Sequence, residues 1–114
     1  MSDFEKINIK EGMPLLHEAM DDLKKWIQML KQRNCKCVLI VHGYGSTGKG
    51  GVICTKSRQW LKAQERNRKI KSVIFGEDFS IFNEKALALR NRYYDFELDH
   101  LLYTCNHGVT VVEL

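Results

Sequence analysis

The sequence predicts an α/β domain: a two-layer sandwich with a single mixed sheet of about four strands and helices packed on it. Three observations carry this expectation. Short β-branched apolar runs at 37–42, 70–75 and 108–114 read as strands. Apolar positions spaced by three and four over 16–30 read as an amphipathic helix. The two signatures alternate along the chain, giving β-α-β-α-β, a helical insertion, and a final β. With 114 residues, one proline and no internal repeat, residues 1–114 are expected to form one domain.

Each element has its own warrant. Ile7-Asn8-Ile9 alternates and predicts a first strand or extended lead-in. Pro14, with its fixed φ and missing N–H, marks a helix start. From Leu16 the apolar positions Ala19, Met20, Leu23, Trp26, Ile27 and Leu30 follow a helical period that ends near Arg33-Asn34. Residues 37–42 are the central strand. After a run of glycines, a second helix is expected from Val52 to about Arg66. Ile53, Trp60 and Leu61 fall to one side of it, and Arg58, Lys62 and Arg66 to the other at i, i+4 spacing. Like charges so aligned repel unless an anion covers them. Ile70 to Phe75 is a third strand, ended by Gly76-Glu77-Asp78. A polar start at Ser80 or Asn83 opens a helix over 84–94, and a short apolar segment follows near 98–103. Residues 108–114 form a last strand locked into the sheet, since a free apolar terminus would fray.

Charge is distributed unevenly. The formal net charge is +4, but residues 24–71 hold thirteen Lys or Arg against one acid, Glu65, while the two ends are acidic. Clustered basic charge of this kind is the electrostatic footprint of a polyanion partner. The competing reading is cations scattered over solvated faces. The charged N-terminus lacks the apolar core of a signal peptide, and no segment could span a bilayer, so a cytoplasmic location without membrane contact is expected. The four cysteines read as free thiols. Cys35-Lys36-Cys37 lacks zinc-site spacing, and core or boundary positions explain the cysteines better than a metal.

Inside the basic block, Gly43-Tyr44-Gly45-Ser46-Thr47-Gly48-Lys49-Gly50-Gly51 places five glycines in nine residues directly after a strand. A glycine-rich loop before a helix lets backbone N–H groups approach an anion, above all a phosphate. The letters spell both a dinucleotide fingerprint and most of a P-loop. Gly50 stands where a P-loop needs Ser or Thr for Mg²⁺, and Glu77 lies 29 residues beyond Gly48, too far for a ribose-binding acid. A P-loop-like nucleotide site is therefore the lesser alternative. His42 at the strand end and His107 before the last strand are candidate acid–base groups, each equally explained by a structural hydrogen bond or a turn.

Taken together, the motifs resemble the small MutS-related (Smr) domain family. The strand and loop from Val38 to Gly45, followed by Thr47-Gly48-Lys49-Gly50, are similar to its "hIhGxG…TGxG" core. Trp60-Leu61 matches the helix that follows, and 108–114 matches its terminal strand. The resemblance implies a fold like the C-terminal domain of translation initiation factor 3 and binding of DNA or RNA. It also implies, in some members, nicking or cleavage through an "LDxH" motif and the TGxG loop. Ile7-Asn8-Ile9-Lys10 stands in the LDxH position. Asn8 cannot serve as a carboxylate base and Lys10 is a cation at pH 7, so phosphate contact is retained better than cleavage. Residues 76–106 are an acidic helical insertion with no counterpart in a minimal family domain, and its expected roles are capping the sheet, covering the nucleic-acid surface or recruiting a protein.

The expected nucleic-acid contacts are Lys10, Gly43, Tyr44, Gly45, Ser46, Thr47, Gly48, Lys49, Gly50, Lys56, Arg58, Lys62 and Arg66, with His42 and His107 as catalytic candidates. No cofactor is expected, and a divalent metal only with nuclease activity. A monomer is expected.

Overall fold

The computed structural model describes residues 3–44 and 49–114. Four strands, β1 (Phe4–Asn8), β2 (Cys37–Val41), β3 (Ser72–Phe75) and β4 (Val109–Glu113), form one mixed sheet in the order β1-β2-β4-β3. β1 and β2 are parallel, and β4 runs antiparallel to both β2 and β3. Helix α1 (Leu16–Gln32) joins β1 to β2, and α2 (Lys49–Arg66) joins β2 to β3. A 3₁₀ turn at Gly76–Asp78, then α3 (Glu84–Arg92) and α4 (Phe96–Leu101), precede β4.

Strand parity explains the core. Successive side chains point to opposite faces, and the central strands β2 and β4 are buried on both. Ile7, Val38, Ile40, Val73 and Val112 face Ala19, Leu23, Ile27 and Leu30 of α1 and Ile53 and Leu61 of α2. Phe4, Cys37, Leu39, Ile74, Val109 and Val111 face Phe79, Ala86 and Leu89, together with Leu98, Leu101 and Leu102. The insertion therefore builds a third layer, where two were expected. Its apolar positions cover the second sheet face, and polar bonds tie it down. Arg92 and Tyr93 both reach the buried Glu113 carboxylate on β4, at 2.7 and 2.8 Å. Arg90 pairs with Asp99 across α3 and α4, and Lys6 of β1 pairs with Glu97. The Asn83 side chain accepts the Lys85 and Ala86 N–H groups and starts α3, as expected.

Several boundaries shift, three of them informatively. β1 begins earlier than Ile7, its charged Glu5 and Lys6 suiting an exposed edge strand. α1 begins at Leu16, with the Leu15 N–H donated to Glu18 Oε1 at 2.8 Å, so Pro14 lies just outside it. α2 begins at Lys49 rather than Val52 and carries Gly50-Gly51 in its first turn. Glycine there costs helix stability.

One glycine is required by packing. A methyl group on Gly76 would lie 2.0 Å from the Asn106 carbonyl oxygen and 2.7 Å from Val109 Cγ2. Gly76→Ala is expected to destabilise the fold by about 2 kcal/mol through overpacking, measurable by urea denaturation. An unchanged midpoint would contradict this close approach.

Candidate functional site

β1, β2 and β3 all run in one direction, so their carboxyl ends gather at one end of the sheet with the start of β4. Open α/β sheets bind ligands beyond the carboxyl ends of their strands. Here that end collects Asn8 to Lys10, His42 to Tyr44, the start of α2, and Asn106 to Gly108.

The backbone of this end is tightly specified. The His42 and Gly43 N–H groups both donate to the Gly108 carbonyl at 3.0 Å. Gly43 has φ +76°, which disfavours other residues, and an added methyl would come within 2.9 Å of Lys10 Cδ. The Lys10 stem thus lies directly over Gly43. Asn8 Oδ1 accepts the Lys10 and Glu11 N–H groups at 3.0 Å, forming an Asx turn that turns the chain into this position. The Asn106 side chain does the same for the Gly108 N–H at 2.8 Å. Lys10, Gly43, Tyr44, His107 and Gly108 line one open cleft with Asn106 and Cys105. The Tyr44 ring is 61 % exposed and rests on His107, with centroids 4.9 Å apart.

Behind the cleft lies a buried polar chain. Arg58 Nε donates to Thr110 Oγ1 at 3.1 Å, and Thr110 Oγ1 is 2.8 Å from His42 Nε2. His42 Nδ1 is 2.7 Å from the Gly43 carbonyl oxygen. A carbonyl only accepts, so Nδ1 carries the proton and Nε2 accepts from the Thr110 hydroxyl. Every link then has one donor and one acceptor. Burial lowers the His42 pKa to about 4; its bond to Gly43 works the other way, and the Arg58 charge assists the lowering. Arg58 also grips Glu77 through two bonds, at 2.8 and 2.7 Å, and donates to the His107 and Val109 carbonyls. Partial burial works to raise the Glu77 carboxyl, but the Arg58 bonds outweigh it and hold it below the usual range.

Two of the expected site residues are turned inward by this arrangement. His42, a candidate acid–base group, is fully buried with both ring nitrogens engaged, because its strand parity matches Val38 and Ile40 and turns it under the helices. It orients Gly43 rather than facing solvent. Arg58, expected on an open cationic stripe, is turned inward with its side chain 11 % exposed. Lys62 of the same stripe pairs with Glu65 at 2.9 Å. Acids thus quench two of the three cations whose repulsion called for an external anion. Lys56 and Arg66 are exposed on α2. Lys49 and Gly50 open that helix, while Gly45, Ser46, Thr47 and Gly48 lie outside the described residues. His107 stays in the cleft beside Tyr44.

Sequence reasoning missed Thr110, Asn106 and the structural use of Glu77. Thr110 is the polar residue in an otherwise apolar run, on the same sheet face as His42 and so a legible signal. The Asn106-His107-Gly108 turn carried a weaker one. Cys35, Cys37 and Cys54 are buried and Cys105 exposed, all as free thiols. Among the described residues, no three His, Cys, Asp or Glu are grouped to hold a metal ion, and no helix is long and apolar enough to cross a membrane.

The fold is an α/β domain with a single mixed four-stranded sheet, and Lys10 meets Gly43 at the carboxyl end of its strands. The Smr domain model matches residues 12–77, more than half of the chain, and the chain belongs to that family. The match runs from the turn after Lys10 to Glu77, spanning α1, β2, α2 and β3. No curated protein and no solved structure matches the chain.

Proposed function

We propose that this domain binds the phosphate backbone of DNA or RNA at the carboxyl end of its sheet. The observation that carries the reading is the seating of exposed Lys10 on Gly43, which joins the LDxH-position segment to the glycine-rich turn. Family membership supports it, as does the basic block from 24 to 71. In this reading Lys10, Lys49 and the N–H groups of the loop that follows Gly43, residues 44–50, meet phosphates, Lys56 and Arg66 extend the footprint, and Tyr44 stacks on a base or sugar. Arg58 and His42 hold the platform without touching ligand.

The test is a fluorescence anisotropy titration of a labelled oligonucleotide at several salt concentrations. Affinity is expected to fall steeply as salt rises, because bound cations release counterions. Lys10→Ala is expected to weaken binding several-fold and to reduce the slope of log affinity against log salt by about 1. Salt-independent binding, or none at low salt, would overturn the reading.

Strand cleavage is a second reading, favoured by the placement of His107 in the same cleft as Lys10. Incubating plasmid DNA and structured RNA with the protein and with His107→Ala decides it. Cleavage lost in the variant supports a role for His107 in acid–base transfer, and equal cleavage by both removes it.

A further inference from the structure

A second hollow, of about 420 Å³, opens on the insertion side of the sheet between β1, β2 and α4. Its floor is apolar, formed by Leu39, Val41, Leu101 and Val109, and Phe96 and His100 stand at its rim. It adjoins the Lys10–Gly43 cleft, since Val41, Thr104, Asn106 and Val109 line both.

We infer that this hollow receives an unpaired nucleobase of a strand whose phosphates lie at Lys10 and Gly43, so that the domain prefers single-stranded nucleic acid. The inference rests on the binding function proposed above. Charge decides which part of a nucleotide fits here. Lys6 at the rim is already paired with Glu97 at 3.1 Å, and Glu97 repels phosphate. A flat, neutral base suits an apolar floor with a polar rim. Phe96 is 76 % exposed, and its ring lies parallel to that of His100, at 5° with centroids 6.3 Å apart. An exposed aromatic face in a hollow that adjoins a lysine-bearing cleft is the kind of arrangement by which proteins hold single strands without reading sequence. In a duplex the bases are stacked inside and cannot reach the hollow.

The experiment compares a labelled oligothymidylate, the matching oligouridylate and an abasic strand of equal length and charge, each titrated at low salt into wild type, Phe96→Ala and His100→Ala. Wild type is expected to bind the base-bearing strands about tenfold more tightly than the abasic one. Phe96→Ala is expected to close that gap by weakening only the base-bearing strands, with His100→Ala acting in the same direction. The DNA and RNA arms show which sugar the strand carries. Equal affinity of wild type for base-bearing and abasic strands overturns the inference and leaves phosphate binding standing. So does an equal loss on both kinds of strand in Phe96→Ala. No binding to any strand overturns the inference together with the function on which it rests.

Discussion

Replacing Arg58 with methionine is expected to destabilise the fold by about 3 kcal/mol. The guanidinium closes two bonds to Glu77, caps the His107 and Val109 carbonyls, supports Thr110, and lies 4.2 Å from the Phe75 ring centroid. Methionine keeps much of the packing volume but leaves Glu77 and two carbonyls without their donors. Loss of one partner from a fully buried pair costs about 3–5 kcal/mol. The Glu77 side chain is 24 % exposed, so water recovers part of that and the lower end applies. For a domain of this size the melting temperature should fall by about 10 °C or more. Arg58→Lys should recover only part of the loss, since an ammonium cannot reproduce the two-pronged contact. A double-mutant cycle with Glu77→Gln should show coupling above about 1 kcal/mol. Additive effects would mean that the pair is incidental.

As the pH falls, His42 should weaken the domain before Glu65 and Glu77 contribute. The folded pKa is depressed to about 4 from an ordinary 6.5. Between those values the unfolded chain binds a proton at this site and the folded one does not. Stability is therefore complete above pH 6.5 and falls with pH until the folded group itself protonates near pH 4. The slope is about 1.4 kcal/mol per pH unit, giving a loss of about 3 kcal/mol across the window. Glu65 and Glu77, whose pKa values are lowered, act below the usual carboxylate value of 4.5. Urea denaturation at pH 7 and about pH 5.5, above the range in which the carboxylates titrate, isolates the histidine, and His42→Asn should remove most of the difference. A variant with an undiminished pH dependence would place the titration elsewhere.

Much of the fold was legible because local pattern and tertiary role agree. β2 reads as a continuous apolar run because helices cover both of its faces, and α1 shows its buried stripe at three- and four-residue spacing. The third layer was legible only as one expected role of the insertion, capping the sheet. Ala86 and Leu89 on α3, and Leu98 and Leu101 on α4, sit on helices too short to show a period, and only the sheet beneath gives them a common face. The Lys10–Gly43 juxtaposition was approached through the family motif, since residues 33 apart in sequence carry no local sign of contact. The cationic stripe misled for the same reason: the acid that neutralises Arg58 comes from the end of β3, and helical spacing alone cannot reveal it. Strand parity, by contrast, could have placed His42 inside, because Val38, Ile40 and His42 share one face.

In the proposed binding mode, nucleic acid meets this domain where Lys10, Gly43 and Tyr44 gather at the carboxyl end of the sheet. The most direct measurement is a two-dimensional amide spectrum of the labelled protein titrated with a short oligonucleotide at low salt. The largest shifts are expected at Lys10, Gly43, Tyr44 and Asn106 to Gly108, with Lys36 and Leu114 at the opposite end unmoved. Shifts concentrated at that opposite end, with the Lys10–Gly43 amides unchanged, would contradict it.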